Sequence, residues 1–485
     1  MTHYLYLEIE GIQRFVFASP KLKIIRGGSA LLDRFNRLDM RDAVRDQGGE
    51  VLLACGGHCL VRGLSLEAAE NLGNDLTRKL RKLTDGQVTL SFGVAAEGPW
   101  PEVQAAYHAD LRTRALKLPP APPPLPPFVA HCSSCGASPA RMLKDMQERQ
   151  LKPFCQACHL RLGAAQQLLE VTKETIWDRL RPYLGMYGKP GDDQAFRKVL
   201  PDREFKDLAT LGSGQTYLAY LYCDGNGMGK NLRETASDED YAKLSKRVDD
   251  ALHKSVAVAF LKYCPPEQQS AGKFAAEVLL LGGDDLIIAM PADRGADVTL
   301  EVLEVFHRET GGTCRLSAGL VFAPQTTPIA ILQRVAESLL RSAKRYAYLD
   351  DVRDAIGHAV IQSEDDAAPR RPPDVGYIDF QELTSAQIDV ERSHAVTCRP
   401  YRLDDFRTLV RRAREAKVVP KSRLHALGEA VRGSEREAYT MARLIVGRAR
   451  TGDKKDVQAD ALLALLRPCS EPEHQDLDRR VSCLL

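Results

Sequence analysis

YLAYLYCDGNGMGK (217–230) and VLLLGGDDLII (278–288) decide how this chain folds. The first is an apolar strand that runs through Asp224 into a glycine-rich turn and a helix. The second is a hairpin with Gly282, Gly283, Asp284 and Asp285 at its tip. Both have earlier counterparts. YLYLEIEGIQR (4–14) is again strand, turn and helix, and VLLACGGHCLV (51–61) is again a hairpin, with Gly56 and Gly57 at its tip. TLSFGVA (89–95) matches RLSAGLV (315–321) as a later strand. Gly56 precedes Ser91 by 35 positions, and Gly282 precedes Ser317 by the same 35. Shared order and spacing indicate a duplicated unit. Amphipathic helices at 66–83 and 295–310 complete the order βαββαβ in each copy, the ferredoxin-like order. The expected fold class is therefore α/β (α+β), with two related domains.

The rest of the chain divides around these copies. Residues 1–118 form the first, and 211–362 the second. Between them, 119–210 hold a Pro-rich linker (PPAPPPLPP, 119–127), two CxxC pairs and a helical stretch from about Leu160 to Tyr183. A polar, Pro-rich boundary at 364–374 opens a mainly helical region, 363–485, rich in arginine. Asp404 or Asp405 is placed to cap its first helix, and Gly433 to end one. Arg411, Arg412, Arg414, Lys417 and Lys421 make a basic helix face, solvated or set against RNA phosphate or partner subunits.

Among 485 residues, 44% hydrophobic and 27% charged describe a folded, water-compatible chain. No apolar run approaches the roughly 18 residues of a membrane span. Glu8 and Glu10 interrupt the first apolar stretch, which excludes a signal-peptide reading and points to the cytoplasm. A net charge of +2 is too small for nucleic acid to be gripped by charge alone.

In a ferredoxin-like sheet the first strand and the central hairpin are neighbours. Asp224, Asp284 and Asp285 therefore meet at one edge of the second sheet. Three clustered carboxylates repel one another, and a hard divalent cation, Mg²⁺ or Mn²⁺, relieves that repulsion. Such metals activate a 3′-hydroxyl and stabilise a leaving pyrophosphate. Gly225, Asn226, Gly227, Met228 and Gly229 form a turn that backbone N–H groups and a helix N-terminus make suitable for phosphate. Lys230 adds a point charge, and Gly282 and Gly283 leave room for a base or ribose. On turn chemistry alone, GGDD is also an ordinary surface β-turn. In the first copy, Glu10 takes the place of Asp224, and the tip reads Gly56, Gly57, His58, Cys59. One acid beside a neutral His–Cys pair makes a poor Mg²⁺ site, so that copy keeps the fold without the metal.

Cys132 and Cys135 are separated by 19 residues from Cys155 and Cys158. Two such knuckles supply a closed tetrahedral Cys₄ zinc site, structural rather than catalytic. His131 and His159 flank it as spare ligands at most.

EGIQRFVFASPKLKIIRGGSALLDRFNR, the zinc ribbon, YCDGNGMGK, LLLGGDDLIIAM and LSAGLVFAPQTTPIAILQRVAESLLRSAKR together resemble the large polymerase subunit of type III CRISPR effector complexes, the Cas-ten or Cmr-two family. The resemblance covers most of residues 1–350. It implies two Palm domains (the nucleotidyl cyclase-like fold), one degenerate and one with GGDD, that join ATP into cyclic oligoadenylate. It also implies control by target RNA within a guide-RNA complex. Carried over, Asp224 and Asp284 bind metal with Asp285 beside them, and Lys344 approaches the triphosphate. Two departures stand out. The first strand begins near residue 4 and no His-Asp dipeptide occurs, so the HD nuclease and its DNA cutting are expected to be missing. Asn226 stands where the family commonly has Asp. GGDEF-type dinucleotide cyclases share the hairpin, which leaves a stand-alone cyclic dinucleotide synthase as a second enzyme reading. A non-catalytic scaffold is a third.

Overall fold

The computed structural model describes residues 2–116, 129–145, 151–170, 176–189, 205–213, 216–265, 275–349, 354–360 and 400–415, with 422 and 426. The Pro-rich linker, the 364–374 boundary, Lys417, Lys421 and Gly433 lie outside the described residues.

β1 (His3–Glu10) leads through α1 (Ile12–Val16), α2 (Leu22–Arg34), a π-helical turn at Phe35–Asp39 and α3 (Met40–Asp46). β2 (Glu50–Cys55) and β3 (His58–Leu64) form the hairpin, α4 (Leu66–Thr84) crosses back, and β4 (Thr89–Ala96) feeds α5 (Trp100–Ala115). The strands pair antiparallel in the order β2-β3-β1-β4. Strand alternation sorts β1 cleanly. Leu5, Leu7 and Ile9 enter one core with Leu72, Leu76 and Leu80 of α4. Tyr4 and Tyr6 enter another with Trp100 and Tyr107 of α5. Ser65 caps α4 by accepting from Ala68 N at 3.1 Å.

The middle segment contributes the hairpin β5 (Met142–Asp145) and β6 (Leu151–Phe154), then α6 (Gln156–Glu170), α7 (Ile176–Tyr187) and the single turn α8 (Phe205–Ala209). Within the helical stretch read from the sequence the described residues carry α6 and α7, and 171–175 lie outside them. Its four cysteines converge, with ligand atoms all within 4.8 Å of one another. Cys135 Sγ and Cys155 Sγ stand 3.9 Å apart, and tetrahedral zinc at its usual thiolate distance sets sulfurs about 3.8 Å apart. The donor set and spacing fit a zinc-type structural metal.

β7 (Tyr217–Gly225), α9 (Met228–Arg233), α10 (Asp238–Tyr263), β8 (Glu277–Gly282), β9 (Asp285–Pro291), α11 (Ala292–Glu309), β10 (Leu316–Pro324) and α12 (Ile329–Leu349) follow. Then come β11 (Ala355–Val360), β12 (Tyr401–Arg402) and α13 (Leu403–Glu415). The second sheet has six strands in the order β12-β11-β10-β7-β9-β8. Four of them, β8-β9-β7-β10, repeat the order of the first sheet, and β11 and β12 extend it beyond β10. β11 lies parallel to β10, joined by the α12 crossover that a parallel pair requires. Tyr401, Phe406 and Leu409 enter the second core, so the 400–415 segment is built onto this sheet.

One glycine marks the repeat physically. The helix after the last strand crosses so close that a Cβ on Gly93 would stand 1.9 Å from Tyr107 O. At Gly319 it would stand 2.1 Å from Ala336 O. The two halves are also joined. Leu218, Tyr220 and Tyr222 share one core with Phe15 and Val16, and Tyr4 Oη donates to Asp238 at 3.0 Å.

The register corrects the sequence alignment of the copies. Cys55 pairs with His58 and Gly282 with Asp285, closing the two hairpins. Glu8 pairs with Ser91 as Asp224 pairs with Ser317. Glu8, not Glu10, therefore occupies the position of Asp224, and Gly57 and His58 those of Asp284 and Asp285. The even 35-residue spacing misled because the matched glycines are one position out of step across the hairpins.

Protein purified without added zinc should carry about one equivalent of metal per chain, and Cys135→Ser should remove most of it. Elemental analysis with thiol counting checks this; less than about half an equivalent in the parent protein counts against the Cys₄ assignment.

Candidate active site

β7 pairs with β9 up to Cys223 and Leu286. One step beyond stand Asp224 and Asp285, cross-strand neighbours on the same face. Asp284 belongs to the two-residue turn, and its carboxylate lies across the end of β7. A Cβ on Gly225 would come within 2.4 Å of Asp284 Oδ2. Gly225 is thus required for the third carboxylate to approach the other two. The three acids predicted from the sequence are thus neighbours at the ends of two inner strands, β7 and β9, and their charges act on one another.

Burial pushes the Asp224 pKa up to about 6, and Asp284 adds to the rise while Lys344 opposes it. Asp285 is raised well above the carboxylate range, by burial first and then by Asp224 and Asp284. Lys344 of α12 forms an ion pair with Asp224. The basic residue at the cluster is therefore Lys344. Lys230 is exposed and stands 3.8 Å from Glu234.

The glycines act differently from the sequence expectation. Gly56 and Gly283 have φ of 59° and 62°, and a Cβ on either would stand 3.1 Å from the other's Cα. The two hairpin tips touch backbone to backbone, so these positions leave room for each other. Beneath them Arg179 Nη1 donates to Leu281 O at 2.9 Å and to Asp33 Oδ1 at 2.8 Å. Its Nη2 donates to Asp249 Oδ1 at 3.2 Å, the oxygen that also accepts from Gly283 N at 3.0 Å. A cavity beside this clamp is lined by Ser29, Asn36, Arg37, Gly57, Gly282 and Asp285.

The turn after Asp224 divides in two. Gly225 is buried, and Met228 joins the second core. Asn226 N donates to Arg315 O at 2.8 Å. Gly227 is left-handed, φ 68°, and with Gly229 and Lys230 it faces solvent. α9 is only six residues long, because Ser237 caps a new helix, α10, by accepting from Asp240 N at 3.1 Å. The turn does not open a long helix with a strong N-terminal field.

In the first copy, His58 Nδ1 is 2.9 Å from Tyr6 Oη, and burial lowers the His58 pKa against the opposing pull of Glu8. Cys59 is fully buried. Among the described residues the Cys₄ cluster is the only group of three or more His, Cys, Asp or Glu side chains whose ligand atoms lie within 4.8 Å of one another. Asp224, Asp284 and Asp285 are neighbours that do not reach that spacing, and His58 and Cys59 form no second group.

Sequence reading assigned no role to Gln13, Arg179, Asp249 or Asp33. Gln13, from the first copy, donates to Tyr222 Oη and hydrogen-bonds Asp285. Gln333 Nε2 donates to Gln13 Oε1 at 3.5 Å, and Tyr220 Oη to Gln333 Oε1 at 2.6 Å. Arg179 and Asp33 are 146 positions apart, and no local pattern signals such a pair.

Residues 217–356 match the Cas10/Cmr2 family, second palm domain. No curated protein sequence matches the chain. Among solved structures, the chain is similar to a Csm1–Csm4 cassette in complex with cA4, with TM-score 0.57 and 16% identity over 95% of this chain and 69% of that one. A cassette in complex with AMPPNP gives 0.56 and 16% over 96% and 69%. Csm1 of T. onnurineus gives 0.58 and 17% over 95% and 68%. The α/β fold with its mixed sheet is therefore that of Csm1, and at residues 217–356 the chain carries a palm domain of the Cas10/Cmr2 family.

Proposed function

We propose that the chain joins ATP into cyclic oligoadenylate, using Mg²⁺ or Mn²⁺ held by Asp224, Asp284 and Asp285. The observation that carries this reading is the Asp284 carboxylate laid over Gly225 beside Asp224. Buried acids raised above their normal pKa by burial and by one another are a site built for positive charge. Family membership of the palm domain supports the reading, as do structures of the same fold solved with cA3, cA4 and AMPPNP. Residues 1–118 serve as a degenerate palm, 119–210 as linker, zinc ribbon and helices, 211–362 as the catalytic palm, and 363–485 as the helical end domain. The chain acts as the large subunit of a type III CRISPR-type complex with partner subunits and guide and target RNA.

When bound, the divalent cation lowers the charge cost of forming the 3′-oxygen–phosphorus bond and of releasing pyrophosphate. Lys344 neutralises Asp224 and is placed to exchange that carboxylate for a phosphate oxygen. The arm of Gln13 and the clamp of Arg179 and Asp249 hold Asp285 and the Gly283 turn in register. Asn226, Gly227, Gly229 and Lys230 edge the site on the solvent side, and Gly282 lines the cavity.

Incubation with ATP and Mg²⁺, alone and with partner subunits and target RNA, should give cyclic oligoadenylate by mass spectrometry. Only a cyclic dinucleotide, or no pyrophosphate under any of these conditions, sinks the proposal. Asp284→Asn with Asp285→Asn should cut pyrophosphate release about a thousandfold or more, a loss of roughly 4 kcal/mol. His58→Ala should change nucleotide affinity at most. The reverse pattern places the chemistry in the first copy. Without divalent cations, the folded chain binds more protons than the unfolded one between the ordinary carboxylate pKa and about pH 6. Stability should therefore fall as pH rises through that window and stay low above it. Mg²⁺ should raise the melting temperature more at about pH 7.5 than at about pH 5, and the double Asn variant should lose that difference.

A further inference from the structure

Among the described residues Arg161 is the largest fully buried side chain, at 0% exposure. Among the described residues no carboxylate pairs with it. Nη2 donates to Cys158 Sγ at 3.0 Å, Nη1 to Phe15 O at 2.5 Å, and Nε to Ala157 O at 3.3 Å. The guanidinium carbon lies 4.8 Å from the centre of the Phe15 ring. A buried cation with only neutral partners costs several kcal/mol. Four thiolates around one divalent metal carry a net double negative charge, whereas four thiols carry none. Among the described residues the metal-loaded cluster is the one counter-charge in contact with this arginine.

The same residue is the foot of a packed path to the candidate active site. α6 crosses α2 where α2 has no side chains. A Cβ on Gly27 would stand 1.9 Å from Arg161 O, and one on Gly28 3.1 Å from Arg161 Cδ. Along α2, Arg26 binds Glu277 of β8 with two bonds of 2.7 Å. Ser29, Asp33, Asn36 and Arg37 wall the cavity at the hairpin tips. Helix α2 therefore touches the arginine on one side and the second hairpin on the other, and the π-helical turn that continues it reaches the first hairpin, where Asn36 Nδ2 donates to His58 O at 3.2 Å.

We propose that Arg161 is a positioning residue that couples metal in the Cys₄ centre to helix α2, and through it to the wall of the cavity between the hairpins. This rests on the Cys₄ assignment and not on the polymerase reading, so the two fail separately.

The test uses the full chain in three forms: parent, Arg161→Met and Arg161→Lys. Metal transfer to a chromogenic chelator is timed first. Loss of a group that touches a metal ligand should speed release about tenfold or more in Arg161→Met, and Arg161→Lys should restore at least part of the difference. Amide hydrogen exchange is then compared in metal-loaded and metal-stripped protein. In the parent, stripping should speed exchange at residues 22–34 while residues 292–309 stay protected. In Arg161→Met, residues 22–34 should exchange fast whether or not metal is bound. Equal release rates in parent and Arg161→Met overturn the electrostatic pairing. Unchanged exchange at 22–34 on stripping the parent overturns the coupling. Loss of protection at 292–309 as well makes the metal a requirement for the whole fold and also overturns it.

Discussion

The contact of Gly56 with Gly283 is the constraint on which the rest of this structure hangs. Two sheets that share a four-strand order meet at their hairpin tips, with backbone against backbone. A Cβ on either glycine would stand 3.1 Å from the other's Cα, so the tips would have to yield by a few tenths of an ångström, and the left-handed φ at both positions disfavours a side chain as well. Helix α2 and the π-helical turn after it then fall against the second and first hairpins in turn, Arg179 and Asp249 reach the turn at Gly283, and Gln13 of one half arrives at Asp285 of the other. Gln13 crosses from one copy to the other, and Arg179 comes from the segment between them. The site is a property of the pair of sheets, although its acids all belong to one.

Equal backbones carry unequal chemistry. Glu8, Gly57 and His58 sit where the second half has Asp224, Asp284 and Asp285. In the first half burial lowers the His58 pKa, the opposite direction to the shifts at Asp224 and Asp285. The second half accumulates charge of one sign, and the ion pair with Lys344 offsets one acid only. Such concentration opposes folding and persists where another constraint demands it.

Much of this was legible in the sequence because it is local. The strands around 4–10 and 217–225, the GGDD hairpin, the Cys₄ spacing and the meeting of three acids all follow from periodicity, turn residues and topology. What escaped is of two kinds. The register of the first copy was misplaced, Glu10 standing in for Glu8, because equal spacing of matched glycines cannot reveal a one-residue offset between two turns. The role of Gly283 was misassigned because its reason is a glycine more than two hundred positions away. Gln13 reaches Tyr222 across 209 positions, and Arg179 reaches Asp33 and Arg161 reaches Phe15 across 146, so only the folded chain brings them to these partners. β11 and β12 were missed because no counterpart of them exists in the first copy.

Those two added strands give the second sheet a different mechanical character. Arg402 pairs with Ala355, Ala355 with Ser317, and Ser317 with Asp224. The four residues form a single transverse rung from the strand that begins the 400–415 segment to the first acid of the cluster. Hydrogen-bonded ladders are far stiffer across such a rung than side-chain packing is. A load on α13 would thus travel to Asp224 along main chain, as through a beam, while the four-stranded first sheet has no corresponding spar.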